Sequence, residues 1–87
     1  SSPTASVFPN PTSGQLNVSL SAFANQQVSI QVFNSNGQPQ RAFDLGRIDR
    51  ANERIDLSGL PAGMYLLQVS SPGEAPIIKK VMVQPRP

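Results

Sequence analysis

The chain has 87 residues, seven basic and five acidic, and contains neither cysteine nor histidine. That length makes one domain at most, with a thin core. The missing side chains exclude disulfide scaffolds, ordinary zinc and copper sites, thiol nucleophiles and imidazole bases.

Nine prolines and six glycines are scattered along the sequence, which predicts many short elements joined by turns. Ser1 to Ser6 reads as linker and lacks the charged-then-apolar order of a signal peptide. Val7-Phe8-Pro9-Asn10-Pro11 is extended, because each proline pushes the residue before it out of the helical region. Thr12-Ser13-Gly14 is a turn. Leu16, Val18 and Leu20 then alternate with Asn17 and Ser19, the period-two pattern of a half-buried strand. Residues 21–26 form a loop. In the second strand Val28, Ile30 and Val32 alternate with Ser29 and Gln31. Asn36-Gly37 is a hairpin signal, since both positions tolerate a positive φ. The returning strand, Gln40 to Leu45, is weaker, and Pro39 at its start suits an edge.

Half of the charged side chains follow in one neutral cluster: Arg47, Asp49, Arg50, Glu53, Arg54 and Asp56. A neutral cluster exerts no long-range pull on phosphate, and the one basic pair, Lys79-Lys80, has no aromatic beside it. No nucleic-acid partner is expected. Ile48, Ala51 and Ile55 are spaced as on a helical turn, but a loop leading into a strand is the better reading. Ile55 and Leu57 share a face of that strand. Residues 58–63 reverse the chain. Pro61 fixes its own φ at about −65° and Gly63 can supply a positive one, with Leu60 expected as a plug in the core.

Met64 to Val69 is apolar on both faces, with Met64 and Leu66 on one and Tyr65, Leu67 and Val69 on the other. Such a strand belongs mid-sheet, under a second layer on one face and under loops or neighbours on the other. After Ser71-Pro72-Gly73, the last strand, Ile77 to Val83, carries Ile77, Val81 and Val83 on one side and Lys80 opposite. Lys79 shares the apolar side, which puts the start of this strand near the rim. About seven short strands with regular turns predict an all-β fold, an immunoglobulin-like antiparallel β-sandwich. No run is long enough to span a bilayer.

Nothing in this pattern assembles a catalytic site. The serines would need Lys79 or Lys80 as a base, and such a lysine must be desolvated to lose its proton. Asp44, Asp49, Glu53, Asp56 and Glu74 are not at the spacing of a calcium loop, and Asn34-Ser35-Asn36-Gly37 lacks the carboxylates of one. Asn17-Val18-Ser19 fits the N-glycosylation sequon but falls within a predicted strand. Tyr65 and the phenylalanines sit among apolar neighbours, as core residues do, rather than grouped as a sugar-stacking platform. No enzyme activity, metal, cofactor or small-molecule substrate is expected.

Three segments carry a resemblance. VFPNPTSGQLNVSL (7–20), VSIQVFNSNGQ (28–38) and IDLSGLPAGMYLLQVSSPGEAPIIKKVMV (55–83) together resemble the type A C-terminal sorting domain of the type IX secretion system. That family opens with Pro-Asn-Pro-Thr-x-Gly and has a central strand ending in Asn/Asp-x-x-Gly. Leu-Pro-x-Gly-x-Tyr and a final strand containing Lys-Lys complete the order. Phe8 stands where the family often has Tyr, and Gln84-Pro85-Arg86-Pro87 is more proline-rich than the usual short basic finish.

The resemblance implies that residues 7–87 are a secretion signal, joined through linker 1–6 to a larger cargo protein of a Gram-negative bacterium. Its partners are then the type IX translocon and a sortase-like cysteine peptidase that cuts upstream of the domain. The route runs from the periplasm across the outer membrane to the cell surface or beyond. Recognition is expected at the final strand, through its edge backbone and through Lys79, Lys80, Val81, Val83 and Arg86. The family-motif residues Pro9, Asn10, Pro11, Gly14, Gly37, Leu60, Pro61, Gly63 and Tyr65 are expected to serve mostly as scaffold. The competing reading is an immunoglobulin-like accessory module of a secreted enzyme, holding carbohydrate or a neighbouring domain. An exposed aromatic row or a calcium site would favour it.

Overall fold

The computed structural model describes residues 5–8, 11–23, 25–49 and 52–85. These form seven strands: β1 (Ser6–Phe8), β2 (Gln15–Ser19), β3 (Gln27–Asn34), β4 (Pro39–Arg47), β5 (Asn52–Asp56), β6 (Gly63–Ser70) and β7 (Ile77–Val83). A 3-10 turn, Ser21–Phe23, lies between β2 and β3. One sheet has the order β1-β2-β5, the other β4-β3-β6-β7, and every named pairing is antiparallel. No helix among the described residues is long and apolar enough to cross a membrane.

The alternation seen in the sequence is what brings the two sheets together. Leu16, Val18 and Ile55 point inward from the smaller sheet. Val28, Ile30, Val32, Tyr65, Leu67, Val69, Val81 and Val83 point inward from the larger one. Leu20, Phe23, Ile48 and Leu57 close the gaps from the connections, all buried. Each such side chain contributes about 1.5–3 kcal/mol on burial. Leu60 is half-buried and packs against this cluster, as expected of a plug.

In the charged stretch Arg47 ends β4, Ile48 is buried and Asn52 begins β5, while Arg50 and Ala51 lie outside the described residues. Ala5 is 4% exposed, and Ser6, itself exposed, opens β1 opposite Ser19. Ser1 to Thr4 lie outside the described residues.

The hairpin at Asn36-Gly37 forms, with a different loop from the two-residue one its sequence favours. The Gly37 amide donates to the Asn34 carbonyl at 2.9 Å, and the Asn34 amide to the Gln38 carbonyl at 2.9 Å. Only Gly37, at φ 83°, enters the left-handed region. This is a three-residue loop whose last residue is a left-handed glycine. The Asn34 side-chain oxygen holds it, accepting from the Asn36 amide at 3.0 Å and the Gln38 amide at 2.9 Å. Pro39 then starts β4, an edge strand, where a missing N–H costs no ladder bond. Two register shifts against β3 further disrupt this edge for outside pairing.

β6 lies mid-sheet, between β3 and β7, as its composition predicts. Its inner side chains are covered by the smaller sheet. Its outer face is not roofed: Leu66 is flanked by Phe33 and Lys80, while Met64 remains 38% exposed. An apolar outer face here is shielded only sideways, by neighbouring strands.

Candidate functional site

The motif segments, far apart in sequence, meet at one end of the sandwich. Thr12 joins the last strand in a parallel bridge to Val83. Its amide donates to the Met82 carbonyl, and the Gln84 amide donates to the Thr12 carbonyl, both at 2.8 Å. Thr12 is 1% exposed, and its hydroxyl is used twice. It donates to the Gln15 carbonyl at 2.6 Å and accepts from the Gly14 amide at 3.2 Å. The Gly14 carbonyl in turn accepts from the Leu57 amide at 2.7 Å. The opening motif therefore ties β7 of one sheet to the end of β5 in the other.

The Leu-Pro-Ala-Gly corner is locked from within. The Tyr65 hydroxyl donates to the Pro61 carbonyl four residues upstream at 2.6 Å, while its ring is buried, only 5% exposed. This is the tyrosine corner found in immunoglobulin-like sandwiches, and it gives Tyr65 a second task beyond core packing. Gly63 takes φ 153°, within the range that favours glycine, and a Cβ there would meet nothing within 4 Å. Backbone conformation, rather than lack of space, selects glycine at this position. Beside the corner is a cleft of about 320 Å³ whose lining includes Ser13, Leu57, Leu60, Ala62, Val83 and Pro85. Among the described residues no charged side chain lines it. Pro11, Gly14, Leu60, Pro61, Gly63 and Tyr65 thus gather at one end, and the β3–β4 turn that holds Gly37 follows Asn34, the partner of Tyr65, at the same end of the larger sheet. Pro9 and Asn10 lie outside the described residues.

The residues expected to meet the translocon are separated by the pleat. Val81 is fully buried and Val83 only 5% exposed. In the folded domain their side chains belong to the core. Lys79 is half-buried on the inner face beside them, whereas Lys80 is exposed on the outer face, in line with Leu66. Arg86 lies outside the described residues. β7 is the edge of its sheet, but Thr12 already occupies that edge at Met82 and Gln84. Pro11, exposed and without an N–H, stands next to this clasp.

At the opposite end, a groove of about 680 Å³ runs past Ser29, Gln31, Phe43, Asp44, Ser71 and Pro72. It brings together one carboxylate and neutral polar groups. Among the described residues no three acidic side chains gather where they could hold a metal ion. Sequence reasoning missed Thr12 and the pairing of exposed methionines across β6 and β7. The Thr directly after Pro11 was the available signal for the first. The apolar outer positions of both strands were the signal for the second.

The model of the family described as secretion system C-terminal sorting domain matches residues 6–84. The chain belongs to this family. The likeness read from three sequence segments is therefore membership in the type IX sorting-domain family over nearly the whole chain. A sorting domain of this kind implies delivery through the secretion system to the cell surface or the extracellular space. No curated protein matches the chain. Among solved structures, a duf3244 family protein with an immunoglobulin-like β-sandwich fold from Bacteroides vulgatus is similar. The TM-score is 0.75 at 16% identity, covering 92% of this chain and 83% of that one. At such identity the likeness concerns the fold alone, and the fold is the immunoglobulin-like sandwich expected from the strand pattern.

Proposed function

We propose that this type IX sorting domain is a folded address, read by the translocon while the attached cargo is in the periplasm. The cargo then crosses the outer membrane, and a sortase-like cysteine peptidase cuts upstream of the domain. The domain itself makes and breaks no bonds. The observation that carries this reading is the family match across residues 6–84. The convergence of the motif segments at one end supports it, because it makes the motifs parts of a single folded object.

The test joins a fluorescent reporter to the whole chain and expresses it, beside the reporter alone, in a type IX-competent host. Surface delivery that requires the chain is expected. Equal retention of both inside the cell contradicts the reading and leaves an accessory binding module as the better one.

A further inference from the structure

Six asparagines are spread along the chain, and only Asn36 is followed by glycine. Glycine has no Cβ to crowd its own nitrogen, so that nitrogen reaches the side-chain carbonyl of a preceding asparagine more readily than any other residue's does. Asn36 is exposed, and among the described residues no hydrogen bond holds its carboxamide. The Asn34 carboxamide, two residues earlier, is held by three. Its oxygen accepts from the Asn36 and Gln38 amides, and its nitrogen donates to the Gln38 side-chain oxygen at 3.1 Å.

The nitrogen that would react with Asn36 is itself engaged. The Gly37 amide donates to the Asn34 carbonyl at 2.9 Å and closes the three-residue loop between β3 and β4. Attack requires that amide without its proton, and a bonded N–H gives up its proton only when the loop opens. The loop also fixes Gly37 at φ 83°, so neither partner turns freely toward the other. Folding therefore sets the reactivity of this pair.

We propose that Asn36 is a site of spontaneous deamidation that closure of the β3–β4 loop shuts off, so that its modification records time spent unfolded. The Gly37 nitrogen, its proton lost to solvent, attacks the Asn36 side-chain carbonyl carbon. A C–N bond forms, the side-chain nitrogen leaves as ammonia, and a five-membered succinimide remains. Water then opens the ring at one of its two carbonyls. The product is aspartate, or isoaspartate where the main chain now runs through the former side chain. One water is exchanged for one ammonia, and nothing is oxidised or reduced. The isoaspartyl product carries an extra main-chain carbon between position 36 and Gly37. That carbon displaces the Gly37 amide from the Asn34 carbonyl and weakens the hairpin.

The test incubates the purified full chain at mildly alkaline pH, in buffer and in guanidinium chloride. Peptide mass spectrometry locates the modified asparagine, and isoaspartyl methyltransferase labelling reports the rearranged product. In denaturant Asn36 is modified before every other asparagine, and Gly37→Ala slows it severalfold. In buffer the wild-type reaction is about tenfold or more slower than in denaturant. Asn34→Ala removes the side chain that holds the loop and speeds the reaction in buffer about fivefold or more, whereas Asn34→Asp keeps the accepting oxygen and stays within about twofold of wild type. Should Asn34→Ala fail to fold, hydrogen exchange at the wild-type Gly37 amide replaces it, with exchange in buffer expected to be about tenfold or more slower than in denaturant. The isoaspartyl chain, separated and returned to buffer, unfolds at a lower midpoint, while Asn36→Asp stays near wild type.

Equal rates in buffer and denaturant overturn the proposal, as does an earlier modification at another asparagine. So do equal rates in wild type and folded Asn34→Ala, or an unprotected Gly37 amide where that variant does not fold. An isoaspartyl chain that regains the wild-type midpoint also overturns it.

Discussion

Thr12 shows how one small side chain joins distant parts of this chain. Its backbone holds β7 while its hydroxyl serves the Gly14 amide and the Gln15 carbonyl. Thr12→Val keeps the shape and removes both hydroxyl bonds, leaving polar backbone groups without that partner near the core. The expected loss is about 1–3 kcal/mol in denaturant unfolding, with Thr12→Ser close to wild type. Tyr65→Phe removes only the 2.6 Å bond to the Pro61 carbonyl. It should cost about 1 kcal/mol in the same measurement, with the ring still filling its place in the core. The sequence already marked Thr12 as part of a turn and Tyr65 as core. It could not show that Thr12 meets Val83, because that contact depends on two sheets closing over a long stretch of intervening chain. Nor does periodicity report the direction of a phenol hydroxyl.

Strands were legible where apolar and polar residues alternate, as in β2 and β3, since a pleat exposes successive side chains to opposite faces. The same parity places Val81 and Val83 on the side of Ile77, and both side chains are in the core. The apolar stretch of β6 predicts a second layer over one face and loops or neighbours over the other, and the outer face carries the exposed Met64. The loop after β3 depends on the Asn34 side chain, which an Asn-Gly pair alone does not reveal. β7 supplies Val81 and Val83 to the core and covers one side of β6. A chain ended at Pro76 is therefore expected to lose cooperative unfolding and native circular dichroism. Failure of such a chain to be exported reports lost folding, and only point changes that keep the fold separate recognition from structure.

At the scale of the whole molecule, stability comes from burial between two small sheets with no covalent staple, since the chain has no cysteine. Domains of this size fold with a modest margin. Reductant and chelator are both expected to leave the thermal midpoint unchanged, whereas Leu67→Ala, cutting into the centre of the core, should cost about 2–5 kcal/mol. A midpoint lowered by a chelator would reveal a metal site and revive the accessory-module reading. The motifs gather at one end and the apolar outer face begins beside them, whereas β1 starts at Ser6, opposite Ser19 at the other end of β2. The most direct measurement compares the reporter fused to the whole chain in matched type IX-competent cells with the translocon intact or disabled. Reporter on the surface of the first and retained in the periplasm of the second is the predicted result; equal surface reporter in both contradicts the account.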